Sequence, residues 1–129
     1  MIMTTAQKEQ IVSNYIEAYN TFDTTRMLYD LSHDIHFENS SNGEVTMTLH
    51  GLDEFRKQAE EATALFTERK QSIVNFKHDH DKTETSIHYH AVLAIDLPNG
   101  MKKGNVLNLK GKSVFTFSGD KIVRIEDIS

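Results

Sequence analysis

The residues with the most chemical promise in this chain are Asp127 and Tyr15. A carboxylate held in an apolar hollow loses hydration, its pKa rises, and it becomes a usable base near neutral pH. Tyr15, on the predicted first helix, joins it among the polar residues expected to face that hollow. These two are the candidate catalytic pair. The seven histidines form a second set. His88 and His90 flank Tyr89, which places two imidazoles on one face of a strand at a spacing that can hold a metal. His78-Asp79-His80-Asp81 adds more, but a hairpin turning near Asp81 and Lys82 sets His88 opposite about Asn75, well away from His78. His36 and Glu38 could join His88 and His90 only if their strands are neighbours. These histidines are read as an outer sheet face, and no metal is expected.

The chain has no cysteine, so thiolate nucleophiles, disulfides and Cys-ligated zinc are excluded. It has no glycine-rich phosphate loop, nucleophile elbow or paired-histidine helix motif, and no cofactor is expected. A net charge of -5 and scattered Lys and Arg residues argue against a nucleic-acid partner. No apolar run reaches the roughly 20 residues needed to span a bilayer, and the polar segment Met1 to Gln10 shows no secretory signal. A cytoplasmic protein without a membrane partner is expected.

The elements that must carry these side chains can be read from periodicity. One domain over residues 1–129 is expected. Ile11, Tyr15, Ala18 and Phe22 recur at helical spacing, with Val12, Ile16 and Tyr19 beside them, and predict a helix from about Thr5 to Asn20. Asp23 or Thr24 can cap a shorter helix carrying Met27, Leu28 and Leu31. Ile35–Asn39 and Val45–Leu49 alternate as strands around a turn at Ser40 to Gly43. Asp53 and Glu54 open a third helix with Leu52, Phe55, Ala59, Ala62 and Phe66 on its apolar face. Four strands follow: Ile73–Lys77, Thr85–Ile95, Val106–Phe117 and Lys121–Ile128. Helices first and hairpins after predict an α+β fold, with three helices on the concave face of a curved antiparallel sheet that encloses a pocket.

Alternation sorts the strands into faces. The more apolar sets should face the helices: Ile35, Phe37 and Asn39; Ile87, Tyr89, Ala91, Leu93 and Ile95; Leu107, Leu109, Ser113, Phe115 and Phe117; and Val123, Ile125 and Asp127. A one-residue bulge would invert a strand beyond it. The expected ligand-contacting residues are therefore Asn39, Tyr19, Phe37, Phe55, Tyr89, Ser113 and Phe115.

The segment Tyr15-Ile16-Glu17-Ala18-Tyr19-Asn20-Thr21-Phe22-Asp23 resembles the first helix of the nuclear transport factor 2-like superfamily, which includes the SnoaL-like cyclases and ketosteroid isomerase. The likeness continues through residues 31–39, His50 to Phe55, and Phe115 to Val123. It implies a cone-shaped, cystatin-like roll, commonly dimeric through the outer face of the sheet. Ketosteroid isomerases carry an oxyanion-binding tyrosine on the first helix, and Tyr15 matches it. Their aspartate base falls at Asn39, and their protonated aspartate at Ser113. An amide cannot accept a proton near neutral pH, and a hydroxyl is a weaker donor than a carboxylic acid.

Three functions follow as expectations. The first is an enzyme performing isomerisation, cyclisation, dehydration or hydration on a small apolar organic molecule. The second is a non-catalytic ligand-binding or homodimeric scaffold module. The third is a cupin-like metal enzyme using His88 and His90, which the helical N-terminal third and the missing downstream glutamate count against.

Overall fold

The computed structural model describes residues 3–129, so Met1 and Ile2 of the polar N-terminal segment lie outside it. Helix α1 runs over Thr5–Asn20, as its periodicity predicts. Thr4 and Gln7 close a reciprocal capping box at its start, which satisfies two otherwise orphaned N–H groups. Its buried stripe is Val12, Tyr15, Ile16 and Ala18. The short helix α2, Thr24–Leu28, is capped by Asp23, whose carboxylate accepts from the Arg26 N–H at 3.0 Å. Helix α3, Leu52–Thr63, begins after Gly51, whose φ of 85° only glycine adopts readily.

Six strands form one sheet: β1 (Leu31–Ser41), β2 (Glu44–His50), β3 (Phe66–Asp79), β4 (Lys82–Leu93), β5 (Val106–Ser118) and β6 (Lys121–Ile128). The order is β2-β1-β6-β5-β4-β3, with β2 and β3 as free edges, so the sheet does not close. All neighbours are antiparallel except β1 and β6, which run parallel. The sheet is thus mixed: the last strand returns into the gap between the first hairpin and β5. The Asn42-Gly43 turn of the β1–β2 hairpin has positive φ at both residues, the geometry that matches strand twist.

Several boundaries differ from the sequence reading. Leu31 starts β1 rather than ending α2, and Phe66 starts β3 rather than ending α3. Strand β4 stops at Leu93, leaving Ile95 in an exposed loop. The hairpin turn is centred on His80 and Asp81, and a bulge at Val74 shifts β3, so His88 pairs with Ser72 rather than with Asn75.

The core lies between α1, α3 and the concave face, with Val12, Ile35, Leu93, Phe115, Ile122 and Ile125 essentially inaccessible. Strict alternation with Val123, Ile125 and Asp127 inward would turn Ile122 outward, yet it is fully buried. An extra residue at Val123 interrupts β6, because Phe117 pairs with Ile122 while Thr116 pairs with Arg124. Ile122 and Ile125 therefore both point inward, and Asp127 keeps the inward phase of Ile125.

Candidate active site

Two hollows, each about 320 Å³, open on the concave side. They share a wall of four residues: Tyr19, Asn39, Gln71 and Asp127. The inner hollow is apolar, walled by Phe37, Leu49, Phe55 and Phe66 together with Tyr15. The outer one is more polar, with Tyr89, Ser113, Ser41 and Lys112 along its edge.

Asp127 is delivered by β6, where it pairs laterally with Asn39 of β1 and Ser113 of β5. Ser113 is buried, and its Oγ donates to Asp127 Oδ1 at 2.7 Å. Burial of the carboxylate raises its pKa to about 6, and the Ser113 bond opposes part of that rise. The loss of hydration destabilises the ionised form, while a donor to the carboxylate stabilises it. The result is a carboxyl group that is ionised at neutral pH yet basic enough to take a proton from carbon or oxygen acids.

Tyr15 stands on the buried face of α1, its ring edge-on to Phe115 with centroids 5.6 Å apart and tilted against Phe55. Its hydroxyl makes no hydrogen bond to another side chain among the described residues. Burial, and then the nearby Asp127 charge, hold its pKa well above that of a free phenol. It therefore stays protonated and available as a donor. Tyr19, one turn further along, shares a hydrogen bond with Tyr89 between hydroxyls 2.9 Å apart. Burial raises both of their pKa values as well.

Asn39 lines both hollows, but its amide donates to Thr46 Oγ1 at 2.8 Å, which fixes its orientation. Ser113 has its proton committed to Asp127, so it acts on a ligand through that carboxylate. Phe37 and Phe55 wall the inner hollow. Phe115 does not reach either hollow: it lies in the core, where it supports the Tyr15 ring.

The sequence reading missed Gln71 and Arg69, both on β3. Gln71 is anchored by a reciprocal pair with Asn20 at the end of α1: its N–H donates to Asn20 Oδ1 at 2.7 Å, and its carbonyl accepts from Asn20 Nδ2 at 3.0 Å. Arg69 is buried, and among the described residues it forms no ion pair with a carboxylate. Its guanidinium lies 3.8 Å from the Tyr19 ring centroid and 4.5 Å from that of Phe22, and its Nε donates to the Tyr19 carbonyl at 2.7 Å. Its Nη2 is buried without a partner among the described residues. The guanidinium charge works against the burial effect on Tyr15, Tyr19 and Tyr89.

The histidines fall elsewhere. Strands β6 and β5 separate β1 from β4, so His36 and Glu38 cannot join His88 and His90. His90 bridges Asn108 and Glu68 on the outer face, and those acceptors raise its pKa. His78 links Glu9 of α1 to Thr83 of β4. Among the described residues, no three His, Asp or Glu side chains converge on a common point, and no helix is long and apolar enough to cross a membrane.

An open mixed sheet wrapped around helices, with a polar-walled hollow on its concave side, defines a pocket-bearing α+β roll. Residues 12–125 match the SnoaL-like domain, and the chain belongs to that family. Solved structures agree on the fold. A protein from Xanthomonas campestris assigned as a polyketide cyclase is 19% identical, with 96% of this chain and 90% of that one covered at a TM-score of 0.81. AclR from Streptomyces galilaeus, assigned as a hydroxylase, is 15% identical over 96% and 89% of the two chains, at 0.76. A protein of unknown function from Burkholderia pseudomallei is 20% identical over 97% and 90%, also at 0.76. No curated protein matches in sequence. Neighbours assigned to different reactions share the fold, so activity must be argued from the site.

Proposed function

We propose that this protein performs acid–base chemistry, of the isomerisation, cyclisation or dehydration type, on a small apolar organic molecule bound in the inner hollow. One observation carries the reading: Asp127, the only carboxylate lining that hollow among the described residues, is desolvated, tuned by Ser113 and placed where both hollows meet. Asp127 removes a proton from carbon next to a carbonyl. Tyr15, protonated and unpaired, donates to the oxygen that gains charge, and the Tyr19–Tyr89 pair supplies a second donor. Phe37, Phe55 and Phe66 select an apolar body. The name of the Xanthomonas neighbour, a cyclase, fits this class of chemistry.

The test does not require the natural substrate. Cyclic ketones and β-dicarbonyl compounds in deuterated water should exchange their α-hydrogens faster with the protein than without it, as followed by NMR. Asp127→Asn should abolish that gain, and Tyr15→Phe should reduce it about 100-fold, the effect of losing one oxyanion donor. Equal exchange by wild type and Asp127→Asn would end this mechanism.

A second reading, a non-catalytic binding module, draws on Asn39. That amide occupies the position of a family base, and Thr46 holds it in place. Saturable ligand binding without exchange would favour it. The expected homodimer through the outer face stands as a proposal alongside both readings. Val74 and Val106 are more than half exposed, and sedimentation equilibrium showing only monomer would remove it.

A further inference from the structure

A pair of histidines lies on the face of β1 that points away from the hollow. His36 of β1 and His50 of β2 are direct cross-strand partners. Their Nδ1 atoms are 3.2 Å apart, with the rings tilted by 60°. On the far side of the His36 ring, Nε2 lies 3.3 Å from Glu38 Oε1. Glu38 is in turn held by Arg124 Nη2 at 3.1 Å, and the same nitrogen donates to Glu126.

The chemistry of this chain of contacts is directional. A carboxylate only accepts, so Glu38 fixes the His36 proton on Nε2 and leaves the Nδ1 lone pair bare. That lone pair lies on the His50 side of the ring, with Nδ1 of His50 3.2 Å away. Two nitrogens bound at about 2.05 Å to one tetrahedral ion lie about 3.3 Å apart, so the observed separation matches the edge of a zinc site. A ligating imidazole whose other nitrogen donates to a carboxylate is the usual support for such a site. With no metal, the His50 Nδ1 proton can occupy the same gap as an ordinary hydrogen bond.

We infer that His36 and His50 form a two-histidine site for a borderline divalent cation such as Zn²⁺, with Glu38 orienting His36 and water completing the coordination. The cation would fasten edge strand β2 to β1. Met47 and Leu49 of β2 wall the inner hollow, so the bound ion stiffens that wall from outside. The inference is independent of the proposed chemistry, because His36 and Glu38 alternate with Phe37 and Asn39 and face the other way.

Titration of the full chain with Zn²⁺ in a non-chelating buffer, read by calorimetry, should give one site per chain and a rise in thermal midpoint. His36→Asn and His50→Asn should each weaken binding at least 10-fold, and the double variant should lose the midpoint rise. Glu38→Gln should weaken binding about 10-fold, as for supporting carboxylates elsewhere. His88→Asn should leave binding unchanged. Circular dichroism of each variant confirms folding, which these substitutions outside the core should preserve. Absence of a 1:1 site, or undiminished binding in the folded double variant, would overturn the inference.

Discussion

Ser113 and Asp127 are register partners on β5 and β6, and the serine hydroxyl donates to the aspartate across that pairing at 2.7 Å. This one bond links the strand ladder to the chemistry, because the strand partner of the carboxylate also lowers the basicity that burial raises. The two effects can be separated by substitution.

Asp127→Asn should leave the fold intact, since the amide oxygen can still accept from Ser113. Burial raises the Asp127 pKa from 3.8 to about 6 in the folded state. Between those values the native chain holds a proton that the unfolded chain has released. Stability is therefore highest below the unfolded value and declines as pH rises through the folded one. The asparagine removes this penalty, so the variant should be more stable than wild type at pH 7, by about 1–2 kcal/mol once water in the hollow is allowed for. Urea denaturation at pH 4 and pH 7 checks the sign: the gain should appear at the higher pH and vanish at the lower. Catalysed α-hydrogen exchange in wild type should rise with pH through an apparent value near 6.

Ser113→Ala takes away the only side-chain hydrogen bond to Asp127 among the described residues. The carboxylate pKa should then move above that of the wild type, because the bond is what holds it down. The pH–rate midpoint should shift upward, and stability at neutral pH should fall by about 1–3 kcal/mol, the cost of leaving a buried group short of a partner. An unshifted midpoint would show that the serine has only a packing role.

Arg69→Lys tests the stacked cation. Lysine keeps the charge but loses the planar group between Tyr19 and Phe22 and the Nε bond to the Tyr19 carbonyl. A stability loss of about 1–3 kcal/mol is expected. Freed from its stack, Tyr19 should also lose its fixed pairing with Tyr89. Near-ultraviolet circular dichroism of the tyrosines gives the readout, and an unchanged spectrum with unchanged stability would count against this role.

Gly111→Ala probes how the end of β6 is seated. A Cβ at Gly111 would come within 2.7 Å of the Ile128 carbonyl oxygen, a backbone atom that cannot rotate away. The strand end carrying Asp127 must shift, at a cost of about 1–3 kcal/mol. Exchange activity should fall further than stability alone explains. A fully active variant would mean that this end of the sheet tolerates displacement.

Much of this arrangement was legible in the sequence because it follows from periodicity. The apolar stripe of α1 puts Tyr15 and Tyr19 on its inward side, and the alternation through Ile125 turns Asp127 the same way. The parallel pairing of β1 with β6 was not legible, since alternation is the same for either direction. Nor was the start of β3. Thr67-Glu68-Arg69-Lys70-Gln71-Ser72 shows no apolar alternation, because the inward positions there are Arg69 and Gln71. A strand with polar inward positions hides from a hydrophobicity pattern, so Gln71 of the shared wall and Arg69 stacked on Tyr19 were both missed. The His36–His50 contact depends on hairpin register, and the register shift between Asn39 and Ser40 puts it beyond simple counting from the turn.

The extra residue at Val123 has a larger effect than its size suggests. It puts the two ends of β6 out of step, so that Ile122 serves the packed base of the molecule while Asp127 serves the open end. In a strictly alternating strand, either the isoleucine or the aspartate would have been turned toward the opposite side. The fold thereby uncouples two demands on one short strand, and substitutions that refine packing near the hairpin need not rotate the reactive group at its far end.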